Sequence, residues 1–206
     1  MSKRVLNGAL FPVRALFMGP QGYFGLESLR DERMRVVSEY CRGRVLDIGC
    51  GPGNLFIEKY IGKDRGIGID VFAYEGVSIA IDDPTKLPFS DESFDTVTLI
   101  AVGGHIPRSK RHSEFAEFAR VLRPHGLLIA TEGEPITQWI VHTWYHFYLG
   151  LQGKVDVDHE RGMANDEEYC MPHDELLGYL SAPPFRFIMR RRFMWGLNNV
   201  FVAERI

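Results

Sequence analysis

Cysteine is scarce in this chain and is not spaced for metal: Cys41, Cys50 and Cys170 are the three in 206 residues. An odd, scattered set excludes a disulfide framework and a paired-cysteine zinc site, and it points to a reducing, cytoplasmic setting. Net charge is also small, 24 Lys and Arg against 27 Asp and Glu, for a formal −3. That balance argues against nucleic acid as a partner and gives no general attraction to an anionic membrane. No stretch approaches the roughly 20 apolar residues that span a bilayer. The basic tip and apolar run of residues 1–19 are interrupted by Pro12 and Arg14, so the segment is expected to be retained rather than cleaved as a leader. No repeat, low-complexity tract or linker divides the chain, and its length suits one domain with a substantial core.

What is present is concentrated between Val45 and Asn54, VLDIGCGPGN. Val45, Leu46 and Ile48 form a short apolar strand pattern, and the glycines at 49, 51 and 53 permit a sharp turn with a ligand close to the backbone. LFIEKYI follows and suits a helix, whose unpaired N–H groups and dipole favour electron-rich ligand groups. A dinucleotide site wants G-x-G-x-x-G, whereas Asn54 stands at the sixth place here, which weakens a nicotinamide oxidoreductase reading. Asp70 ends a second strand pattern, RGIGID, 19 residues after Gly51. That is close to the roughly 20 at which a neighbouring parallel strand delivers a carboxylate to a ribose. Val71 and Phe72 could then lie along a flat base.

The block Asp47-Ile48-Gly49-Cys50-Gly51-Pro52-Gly53 resembles the first motif of the class I S-adenosylmethionine-dependent methyltransferases. Three further segments strengthen the resemblance. Asp82-Asp83-Pro84-Thr85-Lys86-Leu87-Pro88-Phe89 is similar to the family's D-x-x-x-LPF, Ser93-Phe94-Asp95 with the later His105-Ile106-Pro107 is similar to its FD-strand-HIP pattern, and Arg120 to Gly126 looks like its RVL-x-PGG turn, with His125 in place of a glycine. The resemblance implies a Rossmann-like, doubly wound, three-layer α/β fold: a mostly parallel seven-stranded sheet with an antiparallel last strand. It also implies S-adenosyl-L-methionine as cofactor, held around Asp47, Gly49, Cys50, Gly51, Gly53, Asn54, Asp70 and Val71. Asp83, or Asp82 one register away, would take the adenine amino group, and backbone near Ala101 the methionine end. Cys50 itself reads as a small filler. His105 could deprotonate an acceptor or pin its loop.

The single domain of residues 1–206 is expected to comprise an N-terminal strap and helix (1–43), a cofactor-binding core (44–131), an aromatic cap (132–172) and a C-terminal helix and strand pair (173–206). The helix over 26–42 should carry an Asp31–Arg35 pair and end at Gly43. Only 12 residues separate Asp70 from Asp83, too few for a crossover helix between the second and third strands. The cap contains Trp139, Trp144, Tyr145 and Tyr148, with His142 and His146 at helical spacing. No third ligand accompanies those histidines, so no metal is expected. His142, Trp144, Tyr145 and His146 are instead expected to line the pocket for a small, hydrophobic or aromatic acceptor. No integral membrane segment is expected, and peripheral contact is suggested only by this cap and the apolar N-terminus. A non-catalytic cofactor-binding protein is the alternative.

Overall fold

The computed structural model describes residues 3–16, 26–135, 168 and 170–206. Among these, seven strands form one sheet in the order β3-β2-β1-β4-β5-β7-β6. They are β1 (Val45–Ile48), β2 (Gly66–Asp70), β3 (Ile79–Ala80), β4 (Phe94–Ile100), β5 (Leu122–Gly133), β6 (Phe185–Phe193) and β7 (Asn198–Arg205). The first five run parallel, and β7 is antiparallel to both of its neighbours. This is the sheet the resemblance implied.

Helices cover both faces, so alternate residues of each strand enter different cores. Val45, Ile129, Val200 and Val202 pack with Val36 and Val37 of α3 (Leu29–Ser38) and with Phe56 and Ile57. Leu46, Leu128, Phe201 and Ala203 face the other way, onto Phe115 and Phe118 of α4 (Arg108–Val121) and Leu176 and Leu180 of α5 (His173–Ser181). Each such fully buried side chain contributes roughly 1.5–3 kcal/mol. These interdigitated cores hold the carboxyl ends of the strands in register.

α3 begins at Ser28, whose Oγ accepts the Asp31 N–H at 3.0 Å and donates to Asp31 Oδ2 at 2.7 Å. The cap engages Asp31, so the expected Asp31–Arg35 pair does not form: Arg35 instead bridges Glu27 at 2.9 Å and Glu39 at 3.0 Å. α3 also stops at Ser38, with Gly43 lying in the approach to β1. The segment after the glycine loop is helical but irregular, a 3-10 turn over Pro52–Asn54 leading to a π turn over Ile57–Ile61.

β3 is only two residues long, and, as the short spacing led us to expect, no helix intervenes between β2 and β3. Two short helices, α1 (Lys3–Ala9) and α2 (Phe11–Leu16), lie at the turn between β6 and β7. There Trp195 Nε1 donates to Gly8 O at 2.8 Å, and its ring lies 5.5 Å from that of Phe11. Buried Arg14 donates to Glu27 O and Asn7 O and pairs with Glu32 at 2.6 Å.

Candidate active site

A cavity of about 520 Å³ opens beyond the carboxyl ends of β1, β2 and β4. Its size is within the roughly 300–1,000 Å³ of small-molecule sites. β1 sits between β2 and β4, so the chain crosses in opposite directions on either side of it, the place where open α/β sheets bind ligands.

The loop after β1 is held from β2. Asp70, 7 % exposed, accepts the Gly51 N–H through Oδ2 at 2.9 Å and the Phe72 N–H through Oδ1 at 3.0 Å. Gly51 has φ +66°, and a Cβ built on it would meet no atom within 4 Å. The loop therefore presents bare backbone to open space in the cavity wall, as a closely approaching ligand requires. Gly49, Asp70, Val71, Asp82, Ala101 and His105 all line the cavity.

Other sequence-predicted residues support the site from behind. Asp47 is buried and accepts from Thr98 Oγ1 at 2.6 Å; burial, with Asp70 nearby, pushes its carboxyl up to about 7. Cys50 is buried, and its thiol is pushed up to about 12, mainly by desolvation. Asn54 is buried and donates to Ser78 Oγ at 3.0 Å, while Gly53 N donates to Glu75 O at 2.8 Å, tying the loop to the β2–β3 connection. None of these four is among the cavity-lining residues. Asp83 also lies off the wall: its Oδ1 accepts both the Thr85 N–H and Oγ1–H, which holds its carboxyl below the usual range. Of the two registers the sequence leaves open, Asp82 lines the cavity and Asp83 does not.

Beyond β4, Ala101 adopts φ +57° and donates its N–H to Thr131 O at 3.2 Å and Thr131 Oγ1 at 3.0 Å. The 3-10 turn Gly103–His105 follows. Glu132, at the end of β5, accepts hydrogen bonds from the backbone at Gly103 and Met171. A Cβ on Gly103 would strike its Oε1, so the close approach requires glycine. Burial drives the Glu132 carboxyl up to about 8, against the partial offset of Arg33. Fully buried Arg111 donates through Nε to Ile106 O at 3.1 Å, to both Glu175 oxygens at 2.8 Å and to Glu168 at 2.9 Å. Sequence reasoning missed Glu132, Arg111 and the cavity-lining pair Lys110 and Glu114. Only the i,i+4 spacing of the last two was a signal. His142, Trp144, Tyr145 and His146 lie outside the described residues.

The family model described as "Methyltransferase domain" matches residues 46–130. The match supports a class I S-adenosylmethionine-dependent methyltransferase. Among curated relatives, the ubiquinone/menaquinone biosynthesis C-methyltransferase UbiE of Desulfotalea psychrophila is 28% identical over 122 residues, covering 52% of this chain and 48% of that protein. Phthiotriol/phenolphthiotriol dimycocerosates methyltransferase 1 of Mycobacterium ulcerans is 34% identical over 112 residues, 47% of this chain and 41% of that one. The chain thus spans about half the length of these relatives or less. A solved 1,6-didemethyltoxoflavin-N1-methyltransferase from Burkholderia thailandensis, with bound 1,6-didemethyltoxoflavin and S-adenosylhomocysteine, superposes with a TM-score of 0.59 over 100% of this chain and 91% of that one. At 14% identity that likeness concerns the fold alone.

The cavity fits S-adenosylmethionine. The open space beside Gly51 leaves room for a ligand against the backbone, and Asp70 keeps acceptor capacity on each oxygen after its two backbone bonds. Val71, Phe72 and Tyr74 line the same end with apolar surface. Among the described residues no cluster is suited to a metal ion, and no helix is long and apolar enough to cross a membrane.

Proposed function

We propose that the protein transfers a methyl group from S-adenosylmethionine to a small hydrophobic or aromatic acceptor. The observation that carries this reading is the cavity bounded by Gly51 and Asp70 on one side and by Ala101 and His105 on the other. When bound there, the cofactor supplies an electrophilic methyl group on a sulfonium. The chain's own work is binding and alignment: Asp70 and the glycine loop hold the nucleoside part, and the turn after β4 borders the reacting end. Positioning reactants at near-attack distance, roughly 3 Å, can remove about 7–11 kcal/mol of barrier.

His105 lines the cavity, where an imidazole accepts a proton from an acceptor hydroxyl or orients the acceptor by a hydrogen bond. Quinone-type rings are the favoured acceptor class, because the relative from Desulfotalea is named for C-methylation in ubiquinone and menaquinone biosynthesis. The aromatic segment, including His142, Trp144, Tyr145 and His146, supplies side chains suited to such rings.

Purified protein incubated with S-adenosylmethionine and a panel of hydroquinones and phenols tests this. Acceptor-dependent formation of S-adenosylhomocysteine is expected for at least one ring. Binding of S-adenosylhomocysteine with no turnover on any member of the panel would favour a non-catalytic cofactor-binding role. Saturable binding of NAD in its place would overturn the reading.

A further inference from the structure

The cavity has a polar corner that holding the ribose and the reacting end leaves unused. α4 contributes Lys110 and Glu114, one turn apart, to the wall that also contains Ile81, Asp82 and Pro84. Glu114 is only 3 % exposed. Among the described residues no hydrogen bond or ion pair engages its carboxyl group, and Lys110 and Asp83 act on it only through space. Of the neighbouring carboxylates, Asp83 is bonded to Thr85 and Glu117 to Arg120 and the Leu87 N–H, while Asp82 lines the cavity with Glu114. Glu114 has its capacity unspent.

We propose that Glu114 reads the amino-bearing edge of the cofactor's purine, forming a two-point hydrogen-bonded pair with it. This rests on the S-adenosylmethionine reading of the cavity. A purine amino group donates while the adjacent ring nitrogen accepts. A neutral carboxyl group offers the matching pair, a carbonyl oxygen that accepts and a hydroxyl that donates, whereas a carboxylate only accepts. The cavity is suited to a base: Val71, Phe72 and Tyr74 supply faces for a flat ring, and Glu114 lines the same cavity as Asp82 and Pro84. Asp83 is turned to Thr85, and Asp82 shares the cavity wall with Glu114.

The electrostatics agree with a proton-bearing Glu114. Burial pushes its carboxyl up to about 7, Asp83 adds to the rise and Lys110 opposes it. The charged and titratable groups around the corner are Lys110 on the same helix, Asp82 and Asp83 after β3, Asp70 at the end of β2 and His105 after β4. A ligand that needs the neutral form binds less well as pH rises past 7, by up to tenfold per unit well above that value.

Calorimetric titration of the full chain with S-adenosylhomocysteine between pH 6 and 8.5 tests the assignment, with Glu114→Gln, Glu114→Ala and a ligand carrying two methyl groups on the purine amine. Wild type should bind at least about tenfold more weakly at pH 8.5 than at pH 6. Glu114→Gln, whose amide also donates and accepts, should keep the pH 6 affinity within about threefold and lose most of the slope. Glu114→Ala should bind about tenfold more weakly at pH 6 and no longer discriminate against the dimethylated ligand. If wild type binds and Glu114→Gln keeps the wild-type slope, or Glu114→Ala binds as wild type does, this inference falls and the function stands. If wild type does not bind S-adenosylhomocysteine, both fall. Should the alanine variant fail to fold, the glutamine variant and the dimethylated ligand still decide.

Discussion

Asp70 Oδ2 accepts the Gly51 N–H at 2.9 Å, so the acid that ends β2 and the glycine loop that follows β1 are one mechanical unit. Its other oxygen takes the Phe72 N–H at 3.0 Å. Asp70 therefore shapes the site before any ligand reaches it. Asp70→Ala removes a charged acceptor from two backbone donors and from the proposed ribose contact. Hydrogen bonds to charged groups contribute about 1.5–3 kcal/mol each, and about 1.4 kcal/mol is a factor of ten. S-Adenosylhomocysteine affinity should fall by at least roughly tenfold, with a lower melting temperature. Calorimetry showing unchanged affinity would remove Asp70 from the site.

The two adjacent acids after β3 should behave differently. Asp82 lines the cavity, while Asp83 spends its carboxylate on the Thr85 turn. Asp82→Ala should weaken S-adenosylhomocysteine binding by more than about threefold, and Asp83→Ala should leave it within about twofold, a few tenths of a kcal/mol. The reverse ranking in the same titration would mean that the turn reorganises when ligand binds.

Stability should decline from acid toward neutral pH, opposite to the trend that salt-bridged carboxylates impose. Burial disfavours the charge of Glu132 and pushes its carboxyl up from an ordinary 4.5 to about 8 in the folded chain. Between those values the unfolded chain binds fewer protons than the native one, so unfolding free energy falls as pH rises and levels off above about 8. Asp47 and Glu114, both pushed up to about 7, act in the same direction. Glu132→Gln should flatten the profile between pH 5 and 8 by at least about 1 kcal/mol, roughly 2–4 °C in melting temperature. The slope is the readout, since the amide also perturbs the bonds from Gly103 and Met171. A variant with the wild-type slope would show that Glu132 is ionised in the fold.

How far the sequence reaches depends on which interaction decides each feature. Strand alternation and the glycine spacing are local patterns, so β1, β2, β4 and the loop at Gly51 could be read from them directly. The absent helix between Asp70 and Asp83 followed from chain length alone. His125, in place of a glycine, takes φ +63° with Nδ1 2.9 Å from Glu204 Oε1. The orientation of Asp83 was not legible, because a hydroxyl two residues on outcompetes the ligand side for its oxygens. Nor were Glu114, Glu132 and Arg111: charged residues in a helical or strand-end pattern look solvated until tertiary packing buries them. The Asp31–Arg35 pair failed for the same kind of reason, a cap at Ser28 being stronger locally than an exposed i,i+4 attraction.

The aromatic segment is the place to separate acceptor binding from cofactor binding. Its two flanks are fixed beside the turn bearing His105. On one side β5 ends at Gly133, with Glu134 N donating to Leu197 O at 3.0 Å; on the other, Glu168 N donates to Gly104 O at 2.8 Å and its carboxylate meets Arg111 at 2.9 Å. The sequence between these flanks carries Trp144 and Tyr145. Large rings there would bury an apolar acceptor and exclude water from the displacement. Trp144→Ala and Tyr145→Ala should leave S-adenosylhomocysteine affinity within about twofold, while turnover with hydroquinone acceptors falls by about tenfold or shifts to smaller rings, as expected for losing roughly 1–3 kcal/mol of apolar contact. Parallel loss of cofactor affinity and of the thermal transition in both variants would instead make these rings part of the core, and the case for a hydrophobic acceptor would lose its main support.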